Sequence, residues 1–288
     1  MALLEAGDGT GFTLAQAAIN AAQSGDTVRL LRKAATGNAY PEALVVDGKQ
    51  IRLVGVEDPA YGGPVVSLPG AGAGVQPTLR VINNGGVHLE NLLCSNARSA
   101  APDVLRGQVG QDRFSRLIVD GGGSKICLVG QYVDNCLLKN GTTGLSPSCP
   151  GQVMADHVTV VNMSVAGLVG NPSNGDFRAC LAALCSGNGF ANSNPTMCWC
   201  NFSDDATAAG GGSKHNMTLA EISFVDLVGF LLAATSLAYQ RGASRLPLEL
   251  RGFRRERRSP QSRVYGGCYD PFPFTPVYAA GTSSIRVL

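Results

Sequence analysis

The sequence predicts an all-β solenoid of parallel strands, and the main reason is a short phrase that recurs along the chain. In each copy a few alternating apolar residues are followed by Asn or another polar turn residue and then by an apolar pair, as at 87–93, 132–141 and 157–162. Alternation with period two is typical of strands, and Asn or Gly supplies the positive φ of a tight bend. No amphipathic helix separates the copies, so we expect the strands to wind into stacked coils.

Composition supports one elongated domain with a narrow aliphatic core. The 288 residues include 37 glycines, only 6% are aromatic and only 15% are charged. This balance suits many short turns and argues against a disordered chain. The formal net charge of +2 gives the molecule as a whole no reason to bind nucleic acid or an anionic membrane.

The first elements can be placed in order. Segment 14–22 has helical spacing, with an apolar stripe of Leu14, Ala18, Ile19 and Ala22; Thr13 is the predicted N-cap and Gly25 the predicted stop. Strands follow at 26–31, 43–46 and 50–55. Further rungs are predicted near 64–68, 78–82, 86–93, 116–119, 125–129, 131–138, 153–161, 164–169, 177–186, 197–202 and 215–224. Stretches 95–114 and 171–212 break this rhythm and predict loops that protrude from one side of the solenoid.

The N-terminal segment carries a resemblance. It combines a Gly-Asp-Gly lead at 7–9, the Ala-rich helix, Gly-Asp-Thr-Val at 25–28, Tyr-Pro-Glu at 40–42 and the run 46–55. This succession resembles the start of right-handed parallel β-helix proteins of the pectate-lyase-like superfamily, in which the helix covers the open first coil. A second phrase at 224–269 resembles the last coils of many such proteins. The resemblance implies a lead and capping helix at 1–25, the β-helix at 26–240 and an extended C-terminal arm at 241–288.

Candidate catalytic residues are aspartates. Polysaccharide-cleaving members of this superfamily need clustered carboxylates, and Asp134, Asp156, Asp204 and Asp205 are the candidates if this chain is an enzyme. Asp134 and Asp156 could stack on successive rungs, although Asp beside a turn often only hydrogen-bonds the backbone. The lyase, polygalacturonase and esterase signatures are absent. Structural roles are favoured for the three histidines, and no local pattern points to a Ser–His–Asp triad.

The nine cysteines favour buried thiols. Four of them fall between 180 and 200, but with C-x4-C and C-x-C spacing rather than the paired C-x2-C of zinc sites. Disulfides formed after assembly and a metal site are the alternatives to free thiols. We predict no cofactor and no metal.

The C-terminal arm is the predicted partner-binding region. Eight arginines lie between 241 and 263, and an apolar segment follows at 270–278. The predicted contact residues are Arg251, Arg254, Arg255, Arg257, Arg258, Phe272, Phe274 and Tyr278. Because no RNA-binding or helix-turn-helix pattern accompanies the run, we rank nucleic acid third among the functions considered. The alternative to partner binding is an arm that lies along the solenoid with its guanidinium groups in solvent.

These observations predict a non-enzymatic structural protein of a tailed-phage virion, a capsid decoration or tail appendage or fibre subunit. Its partners would be other virion proteins, and a homotrimer is expected because parallel coils expose long flat faces. The chain start lacks a secretory signal and run 225–238 is too short and polar to span a membrane, so synthesis in the host cytoplasm is expected. The alternative is a carbohydrate-active enzyme or polysaccharide-binding, tailspike-like protein with loops 95–114 and 171–212 forming the groove.

Overall fold

The computed structural model describes most of the first 232 residues. The described residues are 1–57, 64–71, 74–98, 100–108, 112–147, 153–171, 175–192, 198, 201–205, 207, 214–222, 224–226 and 231–232.

Parallel strands form the three faces of a right-handed β-helix in this part of the chain, which confirms the predicted fold class. Face A has eight strands, β1 (Leu3–Ala6), β2 (Thr27–Leu30), β4 (Gln50–Gly55), β7 (Gly86–Glu90), β10 (Arg113–Ser115), β13 (Tyr132–Asp134), β15 (Val153–Asp156) and β17 (Gly175–Arg178). Face B has β5 (Ser67–Leu68), β8 (Leu93–Ser95), β11 (Ile118–Asp120), the first halves of β14 (Leu137–Ser146) and β16 (Thr159–Val169), β18 (Leu181–Ala183), β20 (Asn201–Ser203) and β21 (Lys214–Asn216). Face C has β3 (Leu44–Asp47), β6 (Leu79–Ile82), β9 (Asp103–Arg106), β12 (Ile126–Val129), the second halves of β14 and β16, and β19 (Asn188–Ala191).

The remaining elements are short. They are α1 (Ala15–Ala21), a 3₁₀ turn (Ala34–Thr36), α2 (Leu219–Ile222) and an antiparallel pair of β22 (Phe224–Asp226) with β23 (Leu231–Leu232). None of the helices within the described ranges is long and apolar enough to cross a membrane.

The core is a stack of like positions from successive coils. On face A the inward column is Val28, Leu53, Leu89, Phe114, Val133, Ala155 and Phe177, in register from strand to strand and buried throughout. Each large apolar side chain in such a column stabilises the fold by about 1.5–3 kcal/mol relative to exposure. The alternation read from the sequence therefore places every second residue of a rung inside and leaves the others on the outer surface.

A two-residue corner joins face A to face B in five consecutive coils, from β7–β8 to β17–β18. Its first residue has the left-handed backbone conformation, with φ between 49° and 58°, and its second residue is buried. The first residues are Asn91, Arg116, Asn135, His157 and Ala179. The phrases predicted as unbroken rungs at 86–93, 131–138 and 153–161 are therefore each two strands divided by this corner. Asn91 and Asn135 mark this corner in two of the recurring phrases, because the short polar side chain of Asn tolerates positive φ, whereas His157 takes the position in the third.

Helix α1 covers the N-terminal coil, as predicted, but its ends differ from the prediction. Leu14, not Thr13, is the N-cap residue, and it makes no side-chain cap bond. The carboxylate of Glu42 instead accepts hydrogen bonds from the amides of Ala15 (3.2 Å) and Gln16 (2.8 Å). An acidic group from a distant loop thus satisfies the first amides of the helix.

The apolar stripe of α1 is narrower than predicted. Ala18, Ile19 and Ala22 are buried, whereas Leu14 is 50% exposed. At the other end of the helix, Nζ of Lys49 donates to the carbonyl oxygens of residues 19, 20 and 22 at 2.9–3.1 Å. The helix therefore stops at Ala21, before the predicted Gly25, where a cation satisfies its last carbonyls.

The two stretches predicted as loops contain strands. Segment 95–114 includes β9 and the first residues of β10, and segment 171–212 includes β17 to β20, of which β18 and β20 coincide with the rungs predicted near 177–186 and 197–202. Strand β9 was not predicted because Asp103 and Arg106 flank only two apolar residues. Parallel pairing with β6 and β12 stabilises β9, whereas its alternation is too short to predict a strand.

Five of the six cysteines in the described residues are free and buried, as the sequence predicted; the sixth, Cys185, is half-buried. Desolvation raises the pKa of Cys94, Cys127 and Cys180 above the ordinary thiol range. These thiols are packing groups within the coil.

Candidate functional site

The structure brings two of the predicted aspartates together. Asp134 and Asp156 are register partners at the ends of β13 and β15, on the outer surface of face A. Oδ1 of Asp134 accepts a hydrogen bond from Nε of Arg113 at 3.2 Å, and Oδ1 of Asp156 lies 2.6 Å from Nδ1 of His157. Both carboxylates are thus held by cationic or hydrogen-bonding neighbours at the A–B corner.

These residues belong to a larger outward surface, which we call the face A strip. It has two columns that run along the solenoid axis, one residue from each column on every strand. The first column is Arg52, His88, Arg113, Tyr132, Met154 and Asp176, and the second is Val54, Glu90, Ser115, Asp134, Asp156 and Arg178.

Arginines of the face A strip are paired with carboxylates of the same strip. Arg52 is paired with Glu90 of the next coil, Arg113 with Asp134, and Arg178 with Asp176, where Nε and the nearer carboxylate oxygen are 2.8 Å apart. Partial burial alone would raise the pKa of Glu90, but the hydrogen bond and charge of Arg52, together with the charges of His88 and Arg116, hold that pKa below its ordinary value. The strip is therefore polar and close to neutral in charge.

A serine and a histidine also meet on this surface. Nε2 of His88 lies 2.9 Å from Oγ of Ser115 across the β7–β10 pair. Burial lowers the pKa of His88, and Arg113 and Arg52 add to the effect, whereas Glu90 opposes it. Sequence reasoning missed this pair because His88 and Ser115 are 27 positions apart, and only the strand register brings them together.

The other two predicted aspartates lie elsewhere and serve the backbone. Asp204 and Asp205 follow β20 on face B. Oδ2 of Asp204 accepts from the amide of Leu184 at 2.7 Å, and Oδ2 of Asp205 accepts from the amide of Gly189 at 2.7 Å. Asp205 also accepts from Ser203 Oγ at 2.7 Å, so both carboxylates close loops rather than join Asp134 and Asp156.

The predicted partner-binding residues, Arg251, Arg254, Arg255, Arg257, Arg258, Phe272, Phe274 and Tyr278, lie outside the described residues. Within the described ranges, no three His, Cys, Asp or Glu side chains are placed to hold a metal ion together.

The strand pairing, the three-faced coil and the helix that covers the N-terminal end define a right-handed parallel β-helix fold. No protein-family model matches the sequence, and no curated protein does. Two solved structures of the pectin methylesterase from Aspergillus niger, in two deglycosylated forms, are similar in fold at 16% identity. Each alignment covers 70% of this chain and 71% of the other, with TM-scores of 0.42 and 0.36. At this distance they carry no argument about activity.

Proposed function

We propose that the protein binds a polysaccharide along the face A strip. The observation that carries the proposal is the repeat of outward hydrogen-bonding groups on consecutive coils, with Tyr132 exposed among them. Neighbouring strands lie about 4.8 Å apart, so a linear glycan lying along the axis would meet a new pair of side chains at intervals close to the length of one sugar ring.

The chemistry of the strip suits sugar hydroxyls. Carboxylates such as Asp134 and Asp156 only accept hydrogen bonds, and guanidinium groups such as that of Arg113 only donate them. A hydroxyl does both, so it can bridge a carboxylate and a guanidinium on adjacent coils. Tyr132, at 36% exposure, adds an aromatic surface against which the C–H face of a sugar ring can pack.

The charge balance supports a neutral or mixed glycan over nucleic acid. Arg52, Arg113 and Arg178 are matched along the strip by Glu90, Asp134, Asp156 and Asp176. A phosphate-binding surface would need unmatched cations. Asp134 is ion-paired and Asp156 contacts His157. Both carboxylates are therefore better suited to accept hydrogen bonds from sugar hydroxyls than to donate a proton to a glycosidic bond.

Binding can be tested with immobilised capsular and cell-wall polysaccharides. We expect retention of the wild-type chain, and a loss of affinity of about tenfold or more, equal to about 1.4 kcal/mol, in Tyr132→Ala and in Arg113→Ala. The matched control is Lys139→Ala, which removes an ion-paired cation on face B. Equal binding by all these variants, or no binding by the wild type to any glycan tested, would refute the proposal.

We also propose a setting for this surface, a structural subunit of a tailed-phage particle that is made in the host cytoplasm, contacts other virion proteins and assembles as a homotrimer. Two sequence features support it: the lyase, polygalacturonase and esterase signatures are absent, and the arginine-rich run at 241–263 suits protein contacts. Recovery of the chain in fixed stoichiometry from purified particles would support this role, and its absence from them would exclude it.

A further inference from the structure

The pair formed by His88 and Ser115 has the geometry of an activated nucleophile. The two atoms are 2.9 Å apart, within the range in which a neutral imidazole accepts the proton of a serine hydroxyl. Both residues point away from the core on neighbouring strands of face A, where His88 is half-buried and Ser115 is buried, and the β7–β10 register brings them together.

The neighbours of the pair supply what acyl transfer requires. Glu90 lies two residues beyond His88 on the same side of the strand, where its carboxylate favours an imidazolium formed by proton transfer. Arg113 is opposite His88 in the register and its side chain is 59% exposed. A guanidinium has five N–H donors, so Arg113 can donate to a developing oxyanion.

We propose that Ser115 and His88 form a catalytic dyad that removes acyl groups esterified to sugar hydroxyls, the substrate being an acylated form of the glycan of the proposed function, on which this inference rests. Oγ of Ser115 attacks the ester carbonyl, its proton passes to Nε2 of His88, and the carbonyl π electrons move to the oxygen beside Arg113. The tetrahedral intermediate then breaks the bond to the sugar oxygen, which leaves with the proton from His88. Water hydrolyses the acyl-serine by the same steps, which restores the hydroxyl and yields the free acid.

Substrate access to Ser115 requires a side chain of the face A strip to move, because its hydroxyl is largely buried. Ser115 is only 5% exposed, and in its column it is flanked by Glu90 and Asp134. The contact of Arg113 with Asp134 is a surface ion pair, a kind that contributes little net stability. An ester carbonyl can therefore displace it and take the guanidinium as its own partner.

The test uses a fluorophosphonate probe, which modifies activated serines, with mass spectrometry to locate the label on the full chain. We expect labelling at Ser115, loss of that label in Ser115→Ala, and a rate at least roughly 100-fold lower in His88→Gln, the loss expected when a general base is removed. Ser146→Ala, which changes a half-buried serine of β14, is the control and should leave labelling unchanged. Hydrolysis of p-nitrophenyl acetate by the same four proteins should follow the same order.

The pH dependence separates a general base from a merely structural histidine. The charged groups around His88 are Glu90 on its own strand, Arg52 on β4 and Arg113 on β10. Because burial lowers the pKa of His88, the labelling rate should increase with pH over the range below pH 6.5, where the imidazole loses its proton. At neutral pH the rate should no longer change. No label on Ser115, or equal labelling in wild type and His88→Gln, would overturn the dyad. Glycan binding without labelling would refute this inference alone, whereas labelling of Ser115 without glycan binding would support the dyad and refute the proposed function.

Discussion

Nη1 of Arg116 lies 2.6 Å from Oε1 of Glu57, although 59 positions separate the two residues. The same atom is 3.6 Å from Oε1 of Glu90, which belongs to the coil between them. The three side chains are only 11–20% exposed. One guanidinium at the A–B corner thus ties together three successive coils.

Replacing this guanidinium should destabilise the solenoid. We expect Arg116→Met, which keeps the bulk of the side chain, to lower the free energy of unfolding by about 2–3 kcal/mol, because poorly exposed Glu57 would lose its contact with this cation and Glu90 would keep only Arg52. The control is Arg29→Met, whose partner Glu5 is at 3.5 Å with both side chains well exposed; it should cost under about 0.5 kcal/mol. Urea unfolding followed by circular dichroism measures both, and equal costs would contradict this account.

Ala179 occupies the left-handed position of a corner, where alanine is unusual. Ala179 has φ of 49°, a conformation that costs L-residues roughly 1–2 kcal/mol. Ala179→Gly should therefore cost at least about 1 kcal/mol less than Ala155→Gly, since glycine adopts positive φ freely. Ala155 is the matched control because it is equally buried but lies in regular strand β15. Thermal unfolding of the two variants decides, and the reverse order of stability would disprove the corner strain.

Stability should depend on pH through Asp112. Burial raises the pKa of this carboxyl to about 6, and the amides of Val87 and Gln108, which donate to it, only partly oppose the effect. The folded state then holds the proton more tightly than the unfolded state, whose pKa is near 3.8. The contribution of Asp112 to the free energy of unfolding is therefore complete below pH 4 and lost as pH rises through 6, by roughly 3 kcal/mol in total.

The measurement compares wild type with Asp112→Asn between pH 4 and 7. Both proteins keep Glu90 and Asp205, whose lowered pKa values act in the opposite direction. The difference in unfolding free energy between the two proteins should thus report Asp112 alone. The wild type should become less stable relative to Asp112→Asn as pH rises. A difference that does not change with pH would show that this carboxyl titrates alike in both states.

The buried thiols should not react with alkylating reagents in the native state. Cys94, Cys127 and Cys180 are buried and their pKa values are raised by desolvation, so neither access nor thiolate is available. Iodoacetamide at pH 8 should leave all three unmodified in native protein and modify them fully in 8 M urea, a routine denaturing concentration. Peptide mass spectrometry identifies each site, and native alkylation of Cys127 would contradict the core assignment.

The sequence was sufficient to predict coils but not the residues that meet between them. Alternation and Asn-marked bends revealed the face A strands, because period two and positive φ are local properties. Asp134 and Asp156 could be paired in advance because both lie in predicted strands of successive rungs, where like positions stack. The contact between His88 and Ser115 could not, since coils of unequal length conceal which residue stands above which. Strand β9 was missed for the related reason that its short run is stabilised by neighbours rather than by its own pattern.

The constant two-residue corner restricts how this molecule can change in evolution or by engineering. One residue added there would shift the following strand by a single step, which would turn its apolar side chains outward and disturb every coil stacked beyond it. The turns that precede face A vary in length from coil to coil and carry no such requirement. Lengthening the solenoid therefore calls for duplication of a whole coil, whereas foreign peptides should be inserted only at those variable turns.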